Sequence, residues 1–99
     1  MEVKLVLIFC KEACLPQARE ILKKYDVQVD IELGHVLETL STRSRQVEEW
    51  PGYSTILMTI APLNIVNPLT QDLARFREQM HPSVQQGVKI LVLNIEKEV

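Results

Sequence analysis

The alternation of apolar and polar positions divides the chain into four strand-like runs separated by three helix-like stretches. Residues 3–9 are almost continuously apolar, β-branched or aromatic, broken only by Lys4, and residues 55–60 have the same character. Runs of this kind mark strands covered on both faces. Residues 27–33 instead alternate, with Gln28, Asp30 and Glu32 on one side, so one face is wet and the strand belongs at a sheet edge. Residues 88–99 begin as an apolar run with Lys89 near its start, then alternate through Asn94, Glu96 and Glu98. This is the pattern of a second edge strand that outgrows its sheet.

The intervening stretches carry helical spacing. Ala18, Ile21, Leu22 and Tyr25 recur at i, i+3, i+4 and i+7 and predict a helix over 16–25. Pro16 suits its first turn, and Lys23 and Lys24 sit where the helix dipole favours cations. The last helix has Asn67 as N-cap and Pro68 at its first position, with Leu69, Leu73, Phe76 and Met80 on one face, ending before Pro82. A middle helix is expected from Val36, Leu37, Leu40 and Val47, closed by Pro51-Gly52, although residues 41–45 have modest helix propensity. Were that segment a strand pairing with its neighbour, the fold would become a ferredoxin-like βαββαβ sandwich.

Helical crossovers join parallel strands in a right-handed sense. The expected fold is therefore α/β: a three-layer, flavodoxin-like βαβαβαβ domain over residues 1–99, with a mainly parallel four-stranded sheet in the order 2-1-3-4. A ferredoxin-like or thioredoxin-like α/β sandwich is the alternative. Ninety-nine residues give one core and no room for a second.

Composition narrows the function classes. Eleven Lys and Arg against 13 Asp and Glu leave a net charge of −2, without the cation excess that phosphate backbones demand, so no nucleic-acid partner is expected. No apolar run approaches the ~18 residues of a membrane span, and Glu2 opposes a signal-peptide reading of the N-terminus, so no membrane partner is expected either. Two cysteines are too few for a disulfide scaffold, which points to a cytoplasmic location.

In an open parallel sheet, ligands bind outside the strand carboxyl ends where the connections diverge. The lips of that crevice would be residues 10–14 and 61–67. Lys11, Thr59, Asn64 and Asn67 are the candidate ligand-binding residues there, with Asn67 equally explained as a cap and Asn64 as a turn residue. The first loop contains no glycine, so a phosphate-cradling loop is not expected, and neither is a resident cofactor. His35 and His81 stand alone and the cysteines lack zinc-ligand spacing, so no metal is expected.

Cys10 and Cys14 are the remaining chemistry. One reading makes them reactive thiols, Cys10 at a strand end and Cys14 beside a helix N-terminus, with Lys11 adding positive charge. The other makes them core: Cys14, Ala18, Leu22 and Tyr25 form one helical row, and Cys10 ends a buried strand. Residues 9–22 followed by residues 27–31 resemble the opening of glutaredoxins, with C-x-x-x-C in place of C-x-x-C. The same layout is similar to sugar phosphotransferase B components, Cys10 matching their phosphorylatable cysteine, without the Gly/Ser/Thr-rich loop. Each resemblance covers about a third of the chain.

No complete catalytic constellation emerges, so an enzyme is not the first expectation. The leading expectation is a small non-enzymatic binding or regulatory module, acting through protein contacts or a small ligand at the strand carboxyl ends. Trp50, Tyr53, Leu63, Ile65 and Val66 offer a contact surface, and the edge strands offer pairing into a homodimer. The competing expectation is a thiol-dependent protein, a dithiol redox protein or cysteine carrier, using Cys10 and Cys14.

Overall fold

Every strand pair in the sheet is antiparallel. The computed structural model describes residues 2–36, 54–80 and 87–99. In chain order they form β1 (Val3–Lys11), a 3-10 turn (Glu12–Cys14), α1 (Leu15–Lys24), β2 (Ile31–Val36), β3 (Ser54–Pro62), α2 (Leu63–Glu78) and β4 (Val88–Asn94). β1 pairs with β3 from Val3 opposite Pro62 to Lys11 opposite Ser54, and with β4 from Lys4 opposite Asn94 to Cys10 opposite Val88. β2 lies outside β3, with Ile31 opposite Met58. The order is β2-β3-β1-β4.

This is the ferredoxin-like arrangement, which overturns the expected mainly parallel, flavodoxin-like sheet of order 2-1-3-4. The crossover rule itself is obeyed. β1 and β2, joined through α1, both run against β3 and hence parallel to each other, but β3 is inserted between them. They therefore do not form the adjacent parallel pair that a flavodoxin-like layout needs. The middle helix expected from Val36 to Val47 falls, beyond Val36, outside the described residues, as do Trp50, Tyr53 and His81. Val36 itself ends β2.

Period-two alternation sorts the strand side chains onto two faces. Val6, Ile8 and Cys10 of β1 and Leu57, Thr59 and Ala61 of β3 point to one side and are almost fully buried. They meet Ala18 and Leu22 of α1 and Val66, Leu69 and Leu73 of α2, and together these form the core. Burying a side chain such as Leu57 contributes about 1.5–3 kcal/mol. Val66, expected at a contact surface, is part of this core, while Leu63 and Ile65 are half-buried. The opposite side carries Leu5, Leu7 and Phe9 of β1 against Ile60, Met58 and Ile56 of β3. Leu91 and Leu93 of β4, and Ile31 and Leu33 of β2, continue it to both edges. No described helix packs there.

The helices are fixed by specific ends. α1 closes with Tyr25 as C-cap and Asp26 in the left-handed region at φ 58°. The Asp26 N–H donates to the Lys23 carbonyl at 3.0 Å and the Val27 N–H to the Leu22 carbonyl at 3.0 Å, a Schellman closure with aspartate in the usual glycine position. α2 starts at Leu63, four residues before the expected N-cap Asn67, so Pro68 lies inside the helix. Pro62 ends β3 and caps α2 directly, and the Leu63 N–H donates to the Glu2 carbonyl at 3.0 Å. The proline withholds one helix hydrogen bond, a loss confined to the second turn. Asp72 of α2 joins the two helices: it accepts from the Tyr25 hydroxyl at 2.5 Å and pairs with Lys24 and Arg75 at 2.9 Å each.

Candidate functional site

Antiparallel pairing sends the carboxyl ends of β1 and β3 to opposite poles. Nine register pairs run from Val3 to Lys11 along β1, a span of about 27 Å at the usual strand rise. The crevice expected between residues 10–14 and 61–67 therefore does not exist. What the sequence suggested as one site is two places.

At the first pole, Cys10 is fully buried and Cys14 is 6% exposed, both as free thiols. Burial pushes the Cys10 thiol up to about 12, with the neighbouring Cys14 adding to the shift and Arg19 opposing it weakly. Burial also raises Cys14. A nucleophilic or redox thiol needs the reverse shift and access to solvent. The helix-dipole argument fails because desolvation of the thiolate outweighs the dipole once the sulfur sits in the core. Lys11, at the end of β1, is half-buried and packs its stem against Gly87, where an added Cβ would come within 2.9 Å of its Cγ. It is not directed at either sulfur by any hydrogen bond or ion pair among the described contacts.

The second pole is open. A cleft of about 350 Å³ lies between the turn after α1 and the end of β3, lined by Tyr25, Asp26, Gln28, Asp30, Thr59 and Ile60, with Ala61, Pro62 and Ile65 at its back. The turn is stitched to β3. The Asp30 N–H donates to the Met58 carbonyl at 2.8 Å, the Ile60 N–H donates to Asp30 Oδ2 at 2.9 Å, and the Thr59 hydroxyl donates to the Gln28 carbonyl at 2.7 Å. Together with the Schellman closure, these bonds hold the cleft open before any ligand arrives. The lining is predominantly polar: Asp26, Asp30 and Gln28 supply mainly acceptors, and Val27, Pro62 and Ile65 add apolar surface. Such a lining suits a group bearing amine or hydroxyl donors, with some apolar surface for its face, and repels phosphate.

Of the residues singled out in the sequence, Thr59 lines this cleft. Asn64 and Asn67 do not; they are exposed on the first two turns of α2, where Asn67 is neither cap nor lining residue. Gln28 and Asp30 read in the sequence only as the wet face of an edge strand, and Ile60 only as strand interior. Val27–Ile31 alternates like a strand, and that pattern hid a turn that leaves the sheet before Ile31 joins it. The one available signal was Asp26, a left-handed-tolerant residue directly after the helical stripe.

Two further hollows border α1. One, of about 350 Å³, runs between the helices over Ile21 and Phe76 beneath Lys24, Asp72 and Arg75. The other, of about 240 Å³, carries Arg19 and Lys23 and shares Asp26 and Gln28 with the cleft. Among the described residues, no group of three or more His, Cys, Asp or Glu is placed to hold a metal ion. No described helix is long and apolar enough to cross a membrane.

No protein-family model matches the chain, and no curated protein is similar to it in sequence. Solved structures are similar in fold. CPII of Thiomonas intermedia K12, described as a nitrogen regulatory PII-like protein and solved with ADP, AMP and acetate, superposes with a TM-score of 0.72 at 17% identity, over 94% of this chain and 85% of that one. A Thermus thermophilus protein described as PII-like and assigned to signalling gives 0.61 at 21% identity, over 96% of this chain and 91% of that one. A Bacillus cereus protein related to NIF3 gives 0.61 at 14% identity, over 97% of this chain but only 26% of its own. At these identities the likeness shows a shared ferredoxin-like fold, in a form also found in PII-like proteins.

Proposed function

We propose that this protein is a small regulatory module that senses an adenine nucleotide, held base-first in the cleft at the carboxyl end of β3. The observation that carries the reading is the cleft itself, braced by three hydrogen bonds and lined mainly by acceptor groups with Val27, Pro62 and Ile65 as its apolar part. An adenine ring fits this chemistry: its faces meet Val27, Pro62 and Ile65, and its exocyclic amine or the ribose hydroxyls donate to Asp30 or Gln28. The ligand class is supported by Thiomonas CPII, which shares the fold and was solved with ADP and AMP. Phosphates find no partner inside the cleft, so they extend out of it toward solvent. A regulatory rather than catalytic role fits the lining, which holds no nucleophile beside a general base.

Calorimetric titration with adenosine, AMP and ADP tests this. All three are expected to bind, with adenosine losing little affinity relative to AMP because the base and ribose make the contacts. Gln28→Trp alters an exposed turn residue whose backbone carbonyl still accepts from Thr59, and fills the cleft; it should abolish binding while the protein stays folded. Failure of the native chain to bind any of the three ligands, or full binding by Gln28→Trp, overturns the assignment.

The thiol alternative receives no comparable support. Both sulfurs are enclosed and both are shifted away from the thiolate.

A further inference from the structure

The hollow of about 350 Å³ between the helices is lined by α1, α2 and the α2 cap, with no strand residue in its walls. Because β1 and β3 run in opposite directions, so do the helices that follow them. The walls therefore come in three tiers one helical turn apart: Lys24 with Asp72 and Arg75, then Ile21 with Phe76, then Gln17 with Gln79. From the first tier to the last is about 10 Å on either helix at the usual rise. The middle tier is apolar. Phe76 continues the stripe of Leu69 and Leu73, yet among the described residues it does not join them in the core. The first tier is lopsided in charge. Asp72 is 14% exposed, beneath Lys24 at 65% and Arg75 at 63%. Its Oδ2 accepts from Tyr25 and Lys24 and its Oδ1 from Arg75, so the acid is directed inward and the two cations outward.

We propose that this groove docks an amphipathic helix of a partner protein, one large apolar side chain seated on Ile21 and Phe76 and an Asp or Glu set against Lys24 and Arg75. The spacing fits that occupant. A helix laid along the groove repeats its side chains at i, i+3, i+4 and i+7, so a polar residue, an apolar anchor and an acid one turn apart meet the three tiers in turn. The charges fit it as well. Lys24 and Arg75 are held by Asp72 before the partner arrives, which lowers the ordering cost of docking. Glu20, on the α1 rim of the groove, repels an acid placed beside the anchor and so directs the partner's carboxylate to the lysine end. Gln17 and Gln79 can each donate and accept at the far end. A phosphate backbone or an anionic lipid layer is a poorer occupant, since Glu20 and a net charge of −2 oppose an extended anion. The inference stands whether or not the cleft takes a nucleotide.

Selection of a displayed library of helical peptides on the native chain decides it, followed by titration of the enriched peptide into isotope-labelled protein with amide shift mapping. Enriched sequences are expected to carry a large apolar residue with Asp or Glu one turn away, and to shift the amides around Ile21, Lys24, Arg75 and Phe76. Arg75→Gln removes an exposed cation while Tyr25 and Lys24 still hold Asp72, and should weaken that peptide about tenfold. Glu20→Lys leaves the Asp72 clamp untouched and should tighten it severalfold, so it carries the test if Arg75→Gln fails to fold. A selection that enriches nothing, or enriches basic peptides, overturns the proposal. Shifts confined to another surface, or native affinity in both variants, overturn it too. Octanoate binding as tightly as the peptide would also overturn it, and assign the groove to a small amphiphile.

Discussion

The two poles of the sheet are built from the same strands and do opposite things with polar atoms. At the Cys10 pole the chain turns straight from β1 through a 3-10 turn into α1, and both sulfurs are closed in. At the Thr59 pole the chain leaves α1 through a left-handed residue, stands off from the sheet, and is tied back by side-chain and backbone hydrogen bonds. A tight connection yields core; a braced, offset connection yields a cavity. Reactive residue types do not by themselves make a site, since the thiols lie at the sealed end and the open end is made of ordinary turn residues.

The largest expected effect tests the sealed end. Native-state alkylation of Cys10 should be slower than in the urea-unfolded chain by roughly a thousandfold or more, because labelling requires opening of the core. Peptide-resolved mass spectrometry reads this directly, and free-thiol rates at Cys10 would erase the contrast between the poles. Raising the pH works in the same direction. With its folded value near 12, above the ordinary thiol value of 9.0, Cys10 keeps its proton in the fold after the unfolded chain has lost it. Its contribution is complete below pH 9 and is lost between pH 9 and 12.

At the open end, Thr59→Val keeps shape and removes the hydroxyl that clips the Gln28 carbonyl. It should cost about 1–2 kcal/mol in denaturant unfolding and weaken adenosine binding more than a cleft-distant core substitution of equal cost. Equal losses would mean that the clip only stabilises.

Asp72 tests whether the α1–α2 clamp is independent of both poles. The Tyr25 hydroxyl, then Lys24, hold its carboxyl below the ordinary value of 3.8. Its stabilising contribution is therefore present above that value and disappears as the pH falls through the lower folded one. Asp72→Asn should lower the melting temperature at neutral pH by several degrees and flatten its decline below about pH 4. Parallel curves for the two proteins would remove Asp72 from the acid transition. The smallest effect belongs to Asp26→Gly, which relieves a left-handed aspartate and should add about 0.5–1 kcal/mol without moving the turn.

The sequence was informative about elements and misleading about direction. The stripe of Ala18, Ile21, Leu22 and Tyr25 identifies α1 within a residue at each end, and the apolar runs identify β1 and β3 as inner strands. An apolar run does not say which way its neighbour runs. It also does not say what covers each face, and this is where the reading failed. Leu5, Leu7 and Phe9 made β1 look sandwiched between helix layers, whereas both described helices lie on the Val6–Ile8 side. The three-layer architecture followed from that assumption, and the crevice followed from the architecture. Thr59, near the end of an inner strand, does line a cavity, but the residues facing it are Gln28 and Asp30 of the turn before β2 rather than a lip after β1. Asn67-Pro68 imitates a helix start so well that the earlier true start, directly after Pro62, was illegible.

Ile60 belongs to two neighbourhoods at once. Its backbone N–H is held by Asp30 within the cleft wall, and its side chain stands on the exposed side of the sheet. A push from the cleft side and one on the exposed face would thus act on one residue's position. Were contacts on both sides to prefer different settings of Ile60, each would be felt by the other with the same factor.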